Sequence, residues 1–260
     1  MPSLEPFLSF WRALDALFAV EERTWWGAVV SDARYPAVQE ANYARVETTR
    51  AVALEEIETA LLPSVARAGS RREHVVVFSP EAQTELLVEA STRGERIAWD
   101  LVMVHEGSTG PPADDPAEPV EELDEGFWLA HRASTRLFDV SDETMLDQLA
   151  AIEREVLIPA GRRWFVIRDA GGAPAAFAAL LVLEGIGFVD HVVTLPEARR
   201  RGHATALTRR LLSEARATGA DRTYLLAEPR GVAAALYARL GFERVTQIAS
   251  WIAPMDRIRR

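Results

Sequence analysis

A mixed α/β fold, a central sheet flanked by helices, is the architecture this chain predicts, and three observations carry it. Strand-like and helix-like patterns alternate through residues 120–260. Residues 192–204, V-V-T-L-P-E-A-R-R-R-G-H-A, read as a strand, a basic glycine turn and the first turn of a helix. Helix-strand-helix-strand also closes both halves of the chain, which predicts a tandem, duplicated arrangement.

The elements follow in order. Residues 52–68 are helical, with Leu54, Ile57, Leu61 and Val65 at spacings of three to four. Residues 75–78 read as a strand, 81–92 as a helix and 97–104 as a strand. Gly107 to Pro119 holds four prolines and two glycines with little to bury, so it reads as a linker. The expected organisation is a domain over 1–107, a linker over 108–119 and a second domain over 120–260. In the second domain, 127–133 reads as a strand and 141–156 as a helix capped by Ser141. Residues 164–168 are a short apolar strand, and Gly171-Gly172 marks a hairpin turn. Further strands run over 174–183 and 186–195. A helix over 204–218 buries Leu207, Leu211, Leu212 and Ala215 and stops at Gly219. A strand over 222–227, a helix over 231–240 and a strand over 242–252 complete the chain. Gly94 sits in the first half where Gly241 sits in the second.

Composition narrows the function. The 260 residues are 48% hydrophobic and 26% charged, the balance of a soluble globular protein. A net charge of −10 argues against a nucleic-acid partner and favours cationic ones. The absence of cysteine excludes disulfides, cysteine zinc sites and thiol nucleophiles. There is no lysine, so the chain cannot modify itself on a lysine side chain. No apolar run approaches a membrane span and no signal peptide is visible, so the expected location is cytoplasmic, with no membrane partner.

The chemistry concentrates in Arg199-Arg200-Arg201-Gly202-His203-Ala204, which fits Q/R-x-x-G-x-G/A between a strand and a helix. There, backbone N–H groups lack intrahelical acceptors and the helix dipole favours an anion. Gly202 and Ala204 let a phosphate approach the backbone, and the arginines add positive charge. By itself the pattern also suits a solvated arginine loop. Downstream comes Ala234-Ala235-Leu236-Tyr237-Ala238-Arg239-Leu240-Gly241-Phe242.

Together the two segments resemble the GCN5-related N-acetyltransferase (GNAT) superfamily: an acetyl-CoA pyrophosphate loop and an A-x-x-x-Y-x-x-x-G-F motif. The resemblance implies that Val192, Val193 and Thr194 splay from the strand beginning near Arg222 and line the pantetheine arm. Arg199, Arg200, Arg201, Gly202, His203, Ala204 and Thr205 then bind the pyrophosphate, and an N–H near Val193 faces the thioester carbonyl. The acyl group passes directly to an amine, with acetyl-CoA as co-substrate and no metal. Tyr237 matches the family tyrosine that protonates the departing thiolate. The base stays open between Asp190, Glu228 and a water-mediated route. His191 is a weaker candidate, because strand alternation sends it to the face opposite Asp190.

Arg230 departs from the asparagine many relatives carry there. The N-terminal half has no such loop, and Ala90 stands where alignment on Gly94 requires the tyrosine, so it is expected to be a degenerate copy without cofactor chemistry. Its Trp25, Trp26, Asn42 and Tyr43 read first as buried structural groups and second as lining for an acceptor pocket. Gly185-x-Gly187 lacks the rest of a dinucleotide fingerprint, no Walker loop or G-x-S-x-G occurs, and the five histidines lack metal-ligand spacing. The expected activity is an acetyl-CoA-dependent N-acetyltransferase acting on a primary amine, a small cationic molecule rather than a protein, as a monomer or homodimer. The alternative is a non-catalytic acyl-CoA-binding regulator or scaffold.

Overall fold

The computed structural model describes residues 3–107, 116–120, 123–138 and 140–255. The chain forms two compact units, Met1–Phe10 with Met103–Val245, and Trp11–Val102 with Thr246–Arg260. The chain ends are therefore exchanged relative to the expected 1–107 and 120–260 domains. Most of the expected linker, 108–115, lies outside the described residues.

The chain opens with α1, Glu5–Asp15, in which the boundary between units falls after Phe10. The smaller unit continues with β1 (Val20–Arg23), β2 (Gly27–Ser31), β3 (Tyr43–Val46), α2 (Leu54–Arg67), β4 (Arg72–Val77) and α3 (Thr84–Thr92). Next comes β5 (Ala98–His105), which crosses into the larger unit at Met103. Strands β1, β2 and β3 pair antiparallel, and β3 pairs parallel with β4. Alternate residues of β3 and β4, Ala44, Val46, Val75 and Val77, face Leu54, Ile57, Leu61 and Val65 of α2, as the helical spacing requires.

In the larger unit come β6 (Glu118–Pro119), α4 (Glu125–Arg136), α5 (Glu143–Ile152), β7 (Arg163–Arg168), β8 (Pro174–Leu183) and β9 (Ile186–Thr194). Then follow α6 (His203–Ala217), β10 (Arg222–Ala227), α7 (Val232–Arg239) and β11 (Glu243–Pro254), whose first three residues belong here. Strands β6 to β9 pair antiparallel in order, and β10 joins β9 in parallel. Helix α6 packs on β7, β8 and β9. On the sheet face bearing Phe177, Ala179 and Val193, Phe127 of α4 joins Trp164 and Val166 of β7. Phe7 lies 5.3 Å from the Tyr224 ring and Phe10 lies 5.2 Å from Phe188, which ties the start of the chain to this unit.

Three local expectations are corrected. Residues 127–133 are not a strand but part of α4: Asp124 accepts the Phe127 N–H at 2.7 Å, and Phe127, His131, Ser134 and Thr135 are buried at helical spacing. The next helix is capped by Asp142, which accepts the Met145 N–H at 3.1 Å, not by Ser141, and its end loosens into a π turn over Glu153–Leu157. The final strand completes the smaller unit: Ala249 to Pro254 of β11 pair antiparallel with β4, and Trp251 is buried among its apolar side chains.

Candidate active site

Strand β9 positions the site through an irregularity. Phe177 of β8 faces Val193, but Ala179 faces Asp190, so β9 carries one residue more than its partner between these pairs. The extra length is a β-bulge, and His191 within it has φ 52. Alternation fails at this point. His191 does not lie opposite Asp190: its ring contacts Phe177, Trp164 and His131, on the same sheet face as Ala179.

Beyond Phe188 and Tyr224, β9 and β10 no longer pair, although β9 runs on to Thr194 and β10 to Ala227. The stretch of β9 left unpaired by β10 runs from Val189 through Val192, Val193 and Thr194. Past Thr194 the chain turns through Pro196–Ala198 into the N-terminus of α6. There Arg200 and Gly202 both take left-handed backbone conformations, φ 62 and 85. Gly202 is the N-cap, offers no side-chain cap, and a Cβ built on it meets nothing within 4 Å. No acidic residue occupies the first turn of α6. The leading N–H groups, through His203, Ala204 and Thr205, are thus left facing a space that an anion fits. Arg199 and Arg201 tie the loop down through Nε to the Thr194 carbonyl (3.3 Å) and Nη2 to the Glu197 carbonyl (3.2 Å). Arg200 and Arg230 are exposed.

Tyr237 projects from α7 and is 7% exposed, its ring 5.8 Å from Phe242. Burial, and then the charge of Asp190, push its phenol up to about 12. Asp190 is 45% exposed at its side chain, with Oδ2 2.7 Å from Arg162 Nη2 and Oδ1 accepting the His191 N–H at 2.7 Å. Burial pushes the Asp190 carboxyl up, but the Arg162 charge and these hydrogen bonds outweigh it and hold it below the usual range. An acid so stabilised as a carboxylate attracts cations better than it takes up protons. Buried Arg162 also lies 3.4 Å from Glu153 Oε1, while Glu153 Oε2 accepts the Trp164 indole N–H at 3.1 Å. Burial raises the Glu153 carboxyl. Glu228 is exposed, its carboxylate close to where a Gly231 Cβ would sit, and so turns toward the start of α7.

Arg162 and Glu153 escaped the sequence reading. Neither has a motif, and Arg162 stands 28 residues from its partner. A π turn starting at Glu153 has no sequence periodicity to betray it.

Helices of the smaller unit end in the same glycine caps as those of the larger one. Gly94 donates to Ser91 and Glu95 to Ala90, as Gly241 donates to Ala238 and Phe242 to Tyr237. The ends of α2 and α6 match in the same way, with Gly69 to Ala66 and Ser70 to Val65 against Gly219 to Arg216 and Ala220 to Ala215. Counted from these caps, Ala90 stands four residues before Gly94 as Tyr237 stands four before Gly241. Yet β3 and β4 stay paired to Val46 and Val77, and the Phe78 N–H still reaches the Val46 carbonyl at 2.8 Å. The loop leading into α2 is filled by Gln83, which donates to the Thr48 and Arg50 carbonyls at 2.8 Å and accepts from the Val52 N–H. The Glu56 carboxylate takes the Ala53 N–H. Trp26, Asn42 and Tyr43 are buried, and Asn42 bonds the Asp32, Tyr35 and Val38 backbone, so these are structural groups. Trp25 is exposed under the Arg50 guanidinium.

Among the described residues no group of three or more histidines and acids could hold a metal ion, and no helix is long and apolar enough to cross a membrane. Residues 120–242 match the model of the acetyltransferase (GNAT) family. A search of curated proteins gives no match. Among solved structures, a GCN5-related N-acetyltransferase from Kribbella flavida is 20% identical, covering 81% of this chain and 81% of that chain with a TM-score of 0.53. A tandem GNAT protein from the clavulanic acid biosynthesis pathway is 15% identical, covering 90% of this chain and 81% of that chain with a TM-score of 0.52. A GNAT-family protein from Novosphingobium aromaticivorans DSM 12444 is 21% identical, covering 60% of this chain and 64% of that chain with a TM-score of 0.44. The first two likenesses show a shared fold.

Proposed function

We propose, on the match of residues 120–242 to the acetyltransferase (GNAT) family model, an acetyl-CoA-dependent N-acetyltransferase that acts on a small cationic primary amine in the cytoplasm. The observation that carries this reading is the separation of β9 from β10 beside an uncapped α6 N-terminus. The residues fit the group. Unpaired strand edge at Val192, Val193 and Thr194 suits the amides of a pantetheine arm, and the N–H groups from Arg200 to Thr205 suit a pyrophosphate. Bound there, acetyl-CoA supplies an acetyl thioester whose carbon forms a bond to the amine nitrogen as its bond to sulfur breaks.

The chain's own groups handle charge and protons. The Tyr237 hydroxyl, held protonated by burial and by Asp190, gives its proton to the departing sulfur. The ammonium loses one proton to solvent before it attacks, and the acylated nitrogen loses a second, which replaces through solvent the proton Tyr237 gave to sulfur, so the balance closes. Asp190, kept ionised by Arg162, draws a cationic amine toward the gap, in keeping with the net charge of −10. Glu228 is assigned no proton-transfer role, because it is exposed and turned toward α7. The closed smaller unit supports one cofactor site per chain.

The test is acetyl-CoA binding by calorimetry together with CoA release across an amine panel. The expected result is binding, amine-dependent release, and a kcat for Tyr237→Phe about 100-fold lower with unchanged acetyl-CoA affinity. Binding without release by any amine would assign the chain to acyl-CoA sensing instead.

A further inference from the structure

The hydrogen bonds around His191 fix which of its nitrogens carries the proton. Ser134 on α4 donates its hydroxyl to the His131 carbonyl at 2.7 Å, and its oxygen lies 2.9 Å from His191 Nε2. A hydroxyl has one proton to give, so in the second bond Nε2–H donates and Ser134 accepts. A neutral imidazole protonated at Nε2 keeps a lone pair at Nδ1. No described residue hydrogen-bonds to Nδ1, and the only other hydrogen bond given to His191 is from its backbone N–H to Asp190 Oδ1.

The surroundings keep the ring neutral. Burial, opposed by Asp190 and reinforced by Arg162, brings His191 down to about 4. From α4, His131 stacks on it at 4.9 Å and is itself pushed down to about 3, so it adds no charge. From β7 and β8 the neighbours are Trp164 and Phe177, which are uncharged. The bulge sets this ring beside Asp190, on the stretch of β9 that β10 leaves unpaired. Phe138, 61% exposed, borders the ring at 5.8 Å.

We propose that His191 Nδ1 accepts a hydrogen bond from the attacking amine and so aims the nitrogen lone pair, and that Ser134 is the positioning residue that keeps Nδ1 unprotonated. The proposal rests on the amine-transfer reading above. Asp190 draws the cation in; His191 orients it once one proton has gone to water. The acid limb of kcat/KM then follows the substrate amine's own pKa, not a histidine near neutrality.

The test uses the full chain. Nitrogen-15 NMR of the wild type is expected to show His191 protonated at Nε2 alone at pH 7; protonation at Nδ1 overturns the proposal. His191→Phe keeps a flat ring between His131 and Phe177 but removes both nitrogens. It is expected to lower kcat/KM for the amine about tenfold or more, chiefly through KM, with acetyl-CoA affinity within about twofold of wild type. His191→Asn, which returns an acceptor near Nδ1, is expected to recover most of that loss. Ser134→Ala, which frees the tautomer, is expected to fall between the two. An active wild type matched by His191→Phe overturns the His191 assignment alone. A wild type that releases no CoA with any amine overturns the transfer reading, and this proposal with it.

Discussion

Gly202 offers a test of the anion site in which stability and binding separate cleanly. Its φ of 85 lies in the left-handed region, and a Cβ there meets nothing within 4 Å. Gly202→Ala therefore costs only backbone strain, about 1 kcal/mol, or about 2–4 °C in Tm for a chain of this size. Gly202→Glu carries the same strain and adds a carboxylate in front of the open α6 N–H groups. Against two phosphate charges about 6 Å away, even the dielectric of bulk water gives about 1.4 kcal/mol of repulsion, a tenfold weaker Kd, and a lower local dielectric gives more. Gly219 supplies the control. Its φ of 86 and open surroundings match those of Gly202, but it follows the other end of α6. Gly219→Glu should lose similar stability and bind acetyl-CoA as wild type does. Calorimetric Kd and thermal unfolding measure both quantities. The gap between Gly202→Glu and Gly202→Ala should narrow in 1 M salt, where the Debye length is about 3 Å. Equal Kd values for these two variants in low salt would refute the placement of the pyrophosphate.

Three further outcomes follow from the same geometry. Because the Tyr237 phenol is pushed up to about 12, kcat should show no alkaline limb from it below about pH 10, as a pH–rate profile would reveal. Glu73, 3% exposed in the smaller unit, is pushed up to about 7, first by burial and then by Glu58. The folded state thus holds a proton that the unfolded chain releases above 4.5, and stability should fall by about 3 kcal/mol as pH rises from 4.5 to 7. Glu73→Gln should flatten that slope in denaturant titrations across pH. Gln83→Ala strips the loop before α2 of three hydrogen bonds and should cost about 2–4 kcal/mol in urea unfolding, with acetyl-CoA affinity unchanged.

What was legible in the sequence is local. The β9-turn-α6 segment could be read because strand, glycine turn and helix start are set by neighbours a few residues apart. Tyr237 could be placed because the spacing to Gly241 is one helical turn and its cap. The stops at Gly94 and Gly241 were legible in the same way, and matching hydrogen bonds cap both helix ends. The reading failed where local signals were ambiguous. At α4 a cap at Asp124 outweighed an apolar run that looked like a strand.

The site's finer features needed the fold. His191 was assigned to the wrong face because alternation assumes equal residue counts on paired strands, and only the β8–β9 register exposes the bulge. Arg162 meets Asp190 through the packing of distant elements, so no spacing rule points to it. The return of β11 to β4 likewise depends on which strand edge is free and on where Trp251 can be buried. By itself, then, the sequence determined the fold class, the glycine turn before α6 and the candidate acid, all written in contiguous residues. The tertiary structure decided the rest: which strands part, which carboxylate is paired with Arg162, and which pair of strands stays joined. Those outcomes depend on register and packing between residues that are remote along the chain.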